Sequence, residues 1–335
     1  MVDSKQQWKA WLYLAPALIL LLIFTVWPIF STVRMAFLNG YKVGLDGPFE
    51  FGIENFLTVI KLPAFIVSLK NTILLTLFTV PLSTIIALLI AVCLNSIKPL
   101  NKLLQTIYFL PYVTNSIAIG MVFNALFNVI NVGGMDGLNN LPVTQSIFNQ
   151  FLQIFGVDPI NWINKGSDTL LFHNAVEPIY FTLLGEEVGF VLINNNFLVM
   201  VIYIVWNALP FKILILLGGL QSVNKQYYDA AKIDGTSRAR TLWRITVPML
   251  SPMIAYVVIT GFIGGFKEYS SIIGVIGDSM TTGGTPGSMS TMVGLIYQYI
   301  SGNQGQAAAG ALLLFVIIFI VTLINLYVSK KKVHY

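Results

Sequence analysis

The 335-residue sequence predicts an all-α polytopic membrane protein. Only 10% of the residues are charged, against about 25% in average soluble domains, and 56% are hydrophobic. Long apolar runs also recur along the chain, each near the roughly 20 residues that a helix needs to cross a bilayer. We therefore expect residues 1–335 to form a single transmembrane domain.

Six segments are long and apolar enough to span a membrane. They are residues 10–33, 72–94, 103–128, 197–219, 248–266 and 307–328. The first should be a retained anchor rather than a cleaved signal peptide, because its apolar stretch is long and Arg34 follows without a small-residue cleavage site. The run GLNNLPVTQSIFNQFLQIFGV is uncharged but rich in Asn and Gln, so we expect a loop element there.

The distribution of lysine and arginine predicts that both termini are cytoplasmic. Most basic residues fall at the two ends and in alternate loops: Lys5, Lys9, Lys98, Lys102, Lys225, Lys232, Arg238, Arg240, Arg244, Lys330, Lys331 and Lys332. The opposite loops hold most of the acids: Asp46, Glu50, Glu54, Asp136, Asp158, Asp168, Glu177, Glu186 and Glu187. Segment 131–196, between the third and fourth spans, is too long for a simple connection and is predicted to be an extracytoplasmic insertion.

Several functional classes are excluded by what the sequence lacks. The formal net charge of +5 comes from scattered loop residues, so no nucleic acid partner is expected. Cys93 is a lone cysteine in an apolar run, and His173 and His334 are the two histidines, so we expect neither a disulfide framework nor a metal or other cofactor. The phosphate-loop pattern G-x-x-x-x-G-K-[ST] does not occur, so the chain is not expected to be an enzyme that hydrolyses ATP.

Residues 223–247 are polar and basic although apolar spans flank them, and they predict a helix–Gly–helix hairpin. Asn224 can cap a first helix, Gly235 can end it, and Thr236 or Ser237 can cap a second one. Pro248 then opens the fifth span, where its missing N–H costs little. Such a hairpin could simply connect two spans at the membrane surface.

Two alanines favour a second interpretation, in which the hairpin is a docking surface. Ala230 and Ala231 lie beside Tyr227 and Asp234 on one helical face, and small residues permit close approach of another surface. Asp229-Ala230-Ala231 is followed after three residues by Gly235, and nine residues later by Ile245-Thr246-Val247-Pro248.

This pattern resembles the "EAA" loop of binding-protein-dependent ABC importer permeases, E-A-A, three residues, Gly, nine residues, I-x-L-P. The spacing matches completely, with Asp229 in place of Glu and Val247 in place of Leu. The segments QTIYFLPYVTNSIAIGMVFNALFN, VWNALPFKILILLGGLQSV and TTGGTPGSMSTMVGLIYQYISGNQGQAAAGALLLF resemble spans and the last external loop of the carbohydrate branch, the maltose and oligosaccharide type. The likeness extends over nearly the whole chain.

The resemblance implies a prokaryotic cytoplasmic membrane protein, and it implies partners. These are a second permease subunit, a homologous chain in preference to a second copy, two ATP-binding subunits that hydrolyse ATP, an extracytoplasmic solute-binding protein and a carbohydrate, in a setting of membrane lipid. It also implies that the hairpin is a coupling helix that docks on the ATPase. The coupling residues are then Asp229, Ala230, Ala231, Asp234, Gly235, Ile245 and Pro248.

Candidates for the substrate path come from the fourth span. Tyr203, Trp206, Asn207 and Pro210 follow helical spacing, and an aromatic ring beside an amide suits a sugar. The alternative is that the aromatic residues are interface anchors and Asn207 bonds between helices. Further candidates are Asn124, Asn128 and Glu268.

Two other transport functions remain open. An ion-coupled secondary carrier would need ionisable residues inside the membrane, for which Lys212, Lys267 and Glu268 are candidates. The alternative for Lys212, which lies toward the cytoplasmic half of its span, is that its side chain only extends to the membrane surface. A permease for a phosphorylated polyol is a third possibility within the same superfamily.

Overall fold

The computed structural model describes residues 7–45, 48–97, 101–128, 146–156, 162–163, 179–183, 186–190, 195–277, 281–282, 285–286 and 289–332. The α-helices of this part are α1 (Gln7–Leu21), α2 (Trp27–Ala36), α3 (Glu54–Lys61), α4 (Pro63–Ser96), α5 (Asn101–Val113), α6 (Ser116–Phe127), α7 (Ile147–Gln153), α8 (Asn195–Ser222), α9 (Lys225–Ile233), α10 (Arg238–Thr241), α11 (Val247–Met249), α12 (Ser251–Gly265), α13 (Ser270–Ile276), α14 (Met292–Ile300) and α15 (Gln304–Lys332). One π-helical turn, Leu22–Val26, joins α1 to α2, and another, Leu242–Thr246, joins α10 to α11.

The predicted all-α membrane class is confirmed. Four described helices are long and apolar enough to cross a membrane, and the number rises to six if two bent helix pairs each count as one span. Each of the six corresponds to one predicted segment. Two short antiparallel hairpins were not predicted, and they are formed by β1 (Ile179–Leu183) with β2 (Glu186–Phe190) and by β3 (Thr281–Thr282) with β4 (Thr285–Pro286).

The third span differs from the prediction, because residues 103–128 do not form one straight helix. The axes of α5 and α6 differ by 103°. At the break, the Thr114 hydroxyl donates to the Leu110 carbonyl at 2.8 Å, and the Asn115 side chain accepts from the Ile117 N–H at 2.9 Å. These side chains satisfy backbone groups that a continuous helix would pair, so the chain can end one helix and begin another inside an apolar segment.

The fifth span is also bent, by 70°, immediately before α12. The prediction opened this span at Pro248, whereas α12 begins at Ser251 with Pro252 in its first turn. Proline is well tolerated there because the first N–H groups of a helix have no intrahelical partner.

The centre of the bundle is the pair α4 and α8, which pack along much of their length, with α12 against both. Tyr203, Met200 and Ile272 belong to one buried cluster, and Leu216 with Val257 to another nearer the hairpin. By contrast, none of residues 8–21 of α1 is buried, while α2 packs on α15. The faces of α4 and α8 are therefore set by each other and by α12.

A stripe of buried polar side chains runs along α4. Its members are Ser68, Asn71, Thr72, Thr76, Thr79, Ser83 and Thr84. Most of the hydroxyls donate to the carbonyl one turn earlier, as Thr76 does to Thr72 at 2.7 Å. Ser68 instead pairs with Ser290 at 2.7 Å, and the Thr72 hydroxyl accepts from the Met292 N–H at 3.0 Å. The stripe is thus satisfied internally, as polar groups in lipid must be.

Helices α6 and α13 approach at backbone contact. A Cβ atom added to Gly120 would stand 2.7 Å from the Cα of Gly274, far inside van der Waals distance. Asn124 donates to the Val275 carbonyl at 2.6 Å, and Asn128 donates to the Asn124 side-chain oxygen at 3.3 Å. Only glycine permits this crossing, which the amides then hold by hydrogen bonds.

The predicted insertion 131–196 lies largely outside the described residues. Its described parts are α7, the β1–β2 hairpin and a few flanking positions. Ser146 caps α7 by accepting from the Asn149 N–H at 3.2 Å, so part of the expected loop element is a short helix. The Trp162 indole donates to the Asn149 side chain at 2.8 Å, and its ring lies edge-on to Phe127 of α6.

Candidate functional site

The hairpin between the fourth and fifth spans has the helix–Gly–helix form. Asn224 accepts from the Gln226 N–H at 3.0 Å at the start of α9, and Gly235 follows its end with φ +64°. Thr236 donates its N–H to the Ala231 carbonyl at 2.9 Å, which closes the C-terminal turn. Of the two proposed caps of the second helix, Ser237 is the one whose hydroxyl accepts from the Arg240 N–H, at 3.4 Å.

A hydroxyl pair joins the two halves of the hairpin, and one of its two alanines is buried. Ala231 is buried within the chain, whereas Ala230 is exposed, so the two do not share one covered face. The Tyr228 hydroxyl lies 3.3 Å from that of Thr246 and joins the halves. Asp229 pairs with Lys232 at 3.7 Å, but both side chains are well exposed and the pair adds little stability.

The rest of the hairpin presents apolar side chains outward. Ile233 is 87% exposed and Trp243 is 67% exposed, on a segment with few other apolar groups. Of the other predicted coupling residues, Asp234 is exposed, while Ile245 and Pro248 are partly buried. These two exposed apolar side chains on a mostly polar segment are candidates for a contact with another molecule.

A cleft of about 280 Å³ lies between α4, α8 and α12, near the middle of the spans. Its polar lining consists of Thr79, Ser83, Tyr112, Asn207, Lys212, Thr260 and Glu268. Gly261, Gly264 and Gly265 of α12 contribute backbone to its floor. A larger pocket of about 500 Å³ between α5 and α8 is almost wholly apolar, so it offers few partners to a polar solute.

The cleft combines flat aromatic surface with neutral hydrogen-bonding groups. Tyr112 of α5 and Phe211 of α8 stack with ring centroids 5.9 Å apart and an interplanar angle of 16°. Asn207 lies one turn before Phe211 on the same helix. An apolar ring face beside amides and hydroxyls can bind a molecule that has both an apolar face and many hydroxyl groups.

Lys212 is one of the cleft side chains that the path prediction did not include. It is 4% exposed, and its ammonium group donates to the Val80 carbonyl at 3.1 Å, to Ser83 at 2.7 Å and to Thr84 at 2.9 Å. The side chain therefore crosses from α8 to α4 within the bundle, instead of extending toward a membrane surface. Thr79 and Ser83 were missed too, although hydroxyls at helical spacing in an apolar span are a readable signal.

The structure separates the predicted path residues into three places. Asn207 and Glu268 line the cleft, where Glu268 also accepts a hydrogen bond from Ser271. Tyr203 is fully buried and donates to the Ser116 carbonyl at 2.8 Å, and Trp206 packs on Phe123 at 5.3 Å. The remaining members of the set have other partners: Pro210 lines the apolar pocket, Asn124 donates to Val275 of α13, and Asn128 donates to Asn124.

Comparison with known proteins relates the sequence to transport systems. The family described as "Binding-protein-dependent transport system inner membrane component" matches residues 80–334. The arabinooligosaccharides transport system permease protein AraP of Bacillus subtilis (strain 168) is 29% identical over 324 residues, covering 95% of this chain and 88% of AraP. The trehalose/maltose transport system permease protein MalF of Thermococcus litoralis is 26% identical over 324 residues, covering 96% of this chain and 94% of MalF.

The fold also has a counterpart among solved structures. A chain in the crystal structure of a bacterial ABC transporter involved in the import of the acidic polysaccharide alginate superposes with a TM-score of 0.73. The alignment covers 98% of this chain and 97% of that chain at 18% identity. At this identity the likeness concerns the arrangement of helices.

Proposed function

The chain belongs to the family of binding-protein-dependent transport system inner membrane components, and from this premise we propose that it forms the translocation path of an ATP-driven importer for a carbohydrate. An oligosaccharide is the favoured substrate, since the two relatives above are named for sugars. The observation that carries the proposal is the cleft between α4, α8 and α12, with its stacked Tyr112–Phe211 pair beside Asn207. A soluble sugar could stack on the rings while the amide and hydroxyls replace its water hydrogen bonds.

The proposed partners are a second permease subunit, two ATP-binding subunits and an extracytoplasmic solute-binding protein. A homologous chain fits the second permease better than a copy of this one. Hydrolysis of ATP falls to the partners, since the sequence holds no G-x-x-x-x-G-K-[ST] pattern. In this assembly the hairpin 223–247 is cytoplasmic and docks on an ATP-binding subunit through α9, Ile233 and Trp243.

The membrane orientation is part of the same proposal. With the hairpin in the cytoplasm of a prokaryotic cell, both termini are cytoplasmic and segment 131–196 is an extracytoplasmic insertion. The basic residues support this orientation because they concentrate at the termini and in the hairpin. Asn207 then lies near mid-membrane, and Glu268 lies at the extracytoplasmic end of the cleft.

The test is transport by the complex that co-purifies with this chain, reconstituted in vesicles. The panel of labelled solutes would be maltose, trehalose, an arabinan-derived trisaccharide and glycerol 3-phosphate. We expect uptake of a sugar that requires ATP and continues when a protonophore is added. Uptake that needs no ATP and stops with the protonophore would establish the ion-coupled carrier, and uptake of glycerol 3-phosphate alone would establish the polyol phosphate.

Single substitutions test which side chains form the path. Asn207→Ala should reduce uptake about 2- to 12-fold, the range for one net hydrogen bond of about 0.5–1.5 kcal/mol. Trp206→Ala should have the smaller effect, because that ring packs on Phe123 outside the cleft lining. The Trp206→Ala and Asn207→Ala double mutant should transport more slowly while ATP hydrolysis still responds to the liganded binding protein. Wild-type uptake by the double mutant would indicate that the residues that contact the substrate lie in the partner permease.

A further inference from the structure

The three groups that surround the Lys212 nitrogen are arranged as acceptors that suit a charged ammonium group. The Ser83 hydroxyl donates to the Thr79 carbonyl, and the Thr84 hydroxyl donates to the Val80 carbonyl at 2.7 Å. Both hydroxyls therefore meet Lys212 with lone pairs, and the Val80 carbonyl can only accept. Three acceptors around one nitrogen match the three N–H donors of the charged ammonium group.

This charge has no counter-ion in the part of the chain that the structure describes. None of the three hydrogen-bond partners of Lys212 is acidic, whereas Lys232 on the hairpin pairs with Asp229. The carboxylate of the cleft lining, Glu268, follows the end of α12, whereas Lys212 lies beside Gly261, four residues before that end. Gly261 and Gly265 are about 6 Å apart along the helix, and Glu268 lies three residues further along the chain. Burying a charge without a counter-ion costs free energy. Charged residues inside membrane spans are usually functional, so we expect this charge to have a role in transport.

Because the Lys212 ammonium group already donates three hydrogen bonds to α4, this side chain is not expected to bind a solute directly. Binding a solute oxygen directly would require breaking one of three good hydrogen bonds to α4. The same three bonds hold the ammonium group at one point of the cleft wall, at the junction of α4, α8 and α12. The ammonium group therefore gives the cleft a fixed positive electrostatic potential.

We propose that Lys212 is a specificity-determining residue that excludes cations from the translocation path while neutral solutes pass. The proposal rests on the cleft being part of that path. A path wide enough for a sugar is wide enough for hydrated sodium ions and for a chain of water molecules that conducts protons. Fixed positive charge excludes cations and protons from other membrane pores in the same way. A cation about 7 Å from the ammonium group, at an effective dielectric constant of about 20, is disfavoured about 50-fold.

Removing the charge should not disrupt the bundle. Val80 O already accepts from Thr84, and the hydroxyls of Ser83 and Thr84 keep their backbone acceptors. Lys212→Met therefore leaves no donor without a partner and nearly preserves the side-chain volume. Lys212→Gln removes the charge but keeps polar contact with α4, and Lys212→Arg keeps the charge. Lys61→Met removes an exposed lysine from the end of α3 as the matched control.

The experiment measures sodium influx into vesicles that contain the co-purified complex. A sodium-sensitive fluorophore is trapped inside, an inside-negative potential is set with valinomycin and potassium, and influx is recorded with and without ATP. Uptake of the sugar from the panel above is measured in parallel. With ATP, we expect Lys212→Met and Lys212→Gln to increase sodium influx about 10- to 50-fold, from the Coulomb estimate. Lys212→Arg and Lys61→Met should remain within about twofold of wild type.

The outcomes are separable from the fate of the proposed function. If sodium influx in both uncharged variants stays within twofold of wild type while the complex is intact, Lys212 does not exclude cations and the proposal is wrong. An equal leak through Lys212→Arg also overturns it, since the effect would then come from altered packing. Absence of sugar uptake by the wild type would instead refute the carbohydrate importer, and the comparison of sodium influx would stand on its own.

Discussion

Gly235 offers the sharpest test of how the hairpin works. Its φ of +64° lies in the left-handed region, and a Cβ built there would meet no atom within 4 Å. A side chain at this position therefore has room within the chain, and its cost lies in the backbone. Left-handed conformation costs about 1–2 kcal/mol for ordinary L-residues, more for a β-branched one and little for asparagine.

Gly235→Val should consequently destabilise the turn that sets the angle between the two hairpin helices. If the backbone leaves the left-handed region, the bonds from the Gly235 N–H to Lys232 O (3.1 Å) and from the Thr236 N–H to Ala231 O (2.9 Å) are lost. A cost of about 1–2 kcal/mol lowers the ratio of native to rearranged hairpin about 5- to 30-fold. We expect uptake to fall by up to that factor.

The assay compares Gly235→Val with Gly235→Asn in the reconstituted complex. It measures uptake, ATP hydrolysis stimulated by the liganded binding protein, and subunit co-purification. Asparagine should behave like wild type, and valine should impair uptake although the binding protein still binds its solute. Normal uptake by an assembled Gly235→Val complex would refute the reasoning. Equal damage by asparagine would assign the effect to a side chain at a contact surface, not to backbone strain.

Three further outcomes are expected. Gly120→Ala should destabilise the full-length chain in detergent by about 1–3 kcal/mol, because its Cβ meets the Gly274 backbone. In the control Gly218→Ala, the added Cβ meets no atom within 4 Å, so the midpoint of thermal unfolding should rise or stay unchanged. A lower midpoint for both variants would contradict the packing argument. In a cysteine-free background, a cysteine that replaces exposed Ala230 should crosslink to the ATP-binding subunit, and one that replaces buried Ala231 should react slowly. Labelling of Ala230→Cys by lipid-soluble reagents alone would show that this face does not dock on that subunit. Asn207→Asp should reduce uptake of a neutral sugar more than Asn207→Gln, since it removes the amide donors, and equal uptake by the two would exclude a donated hydrogen bond.

The sequence by itself determined the class of the protein and the positions of its spans. Hydropathy is local, and a segment of about 20 apolar residues has few alternatives to a membrane helix. The hairpin was equally readable, because caps and a left-handed glycine are properties of a few neighbouring residues. Asn224 and Gly235 occupy the expected places.

The tertiary structure decided what each helical face touches. Periodicity placed Tyr203, Trp206 and Asn207 together on one side of α8, yet the bend between α5 and α6 brings Ser116 to Tyr203 and Phe123 to Trp206. Only Asn207 of the three lines the cleft.

The same reason explains Lys212, for which the sequence left two roles open, ion coupling in a carrier and extension to the membrane surface. Whether a lysine in a span extends to the surface or crosses to a neighbouring helix depends on acceptors elsewhere in the chain. Here Val80, Ser83 and Thr84 provide them, more than 120 residues away along the chain. Local pattern determines which segments enter the membrane, whereas non-local packing determines which of their side chains meet in the cleft.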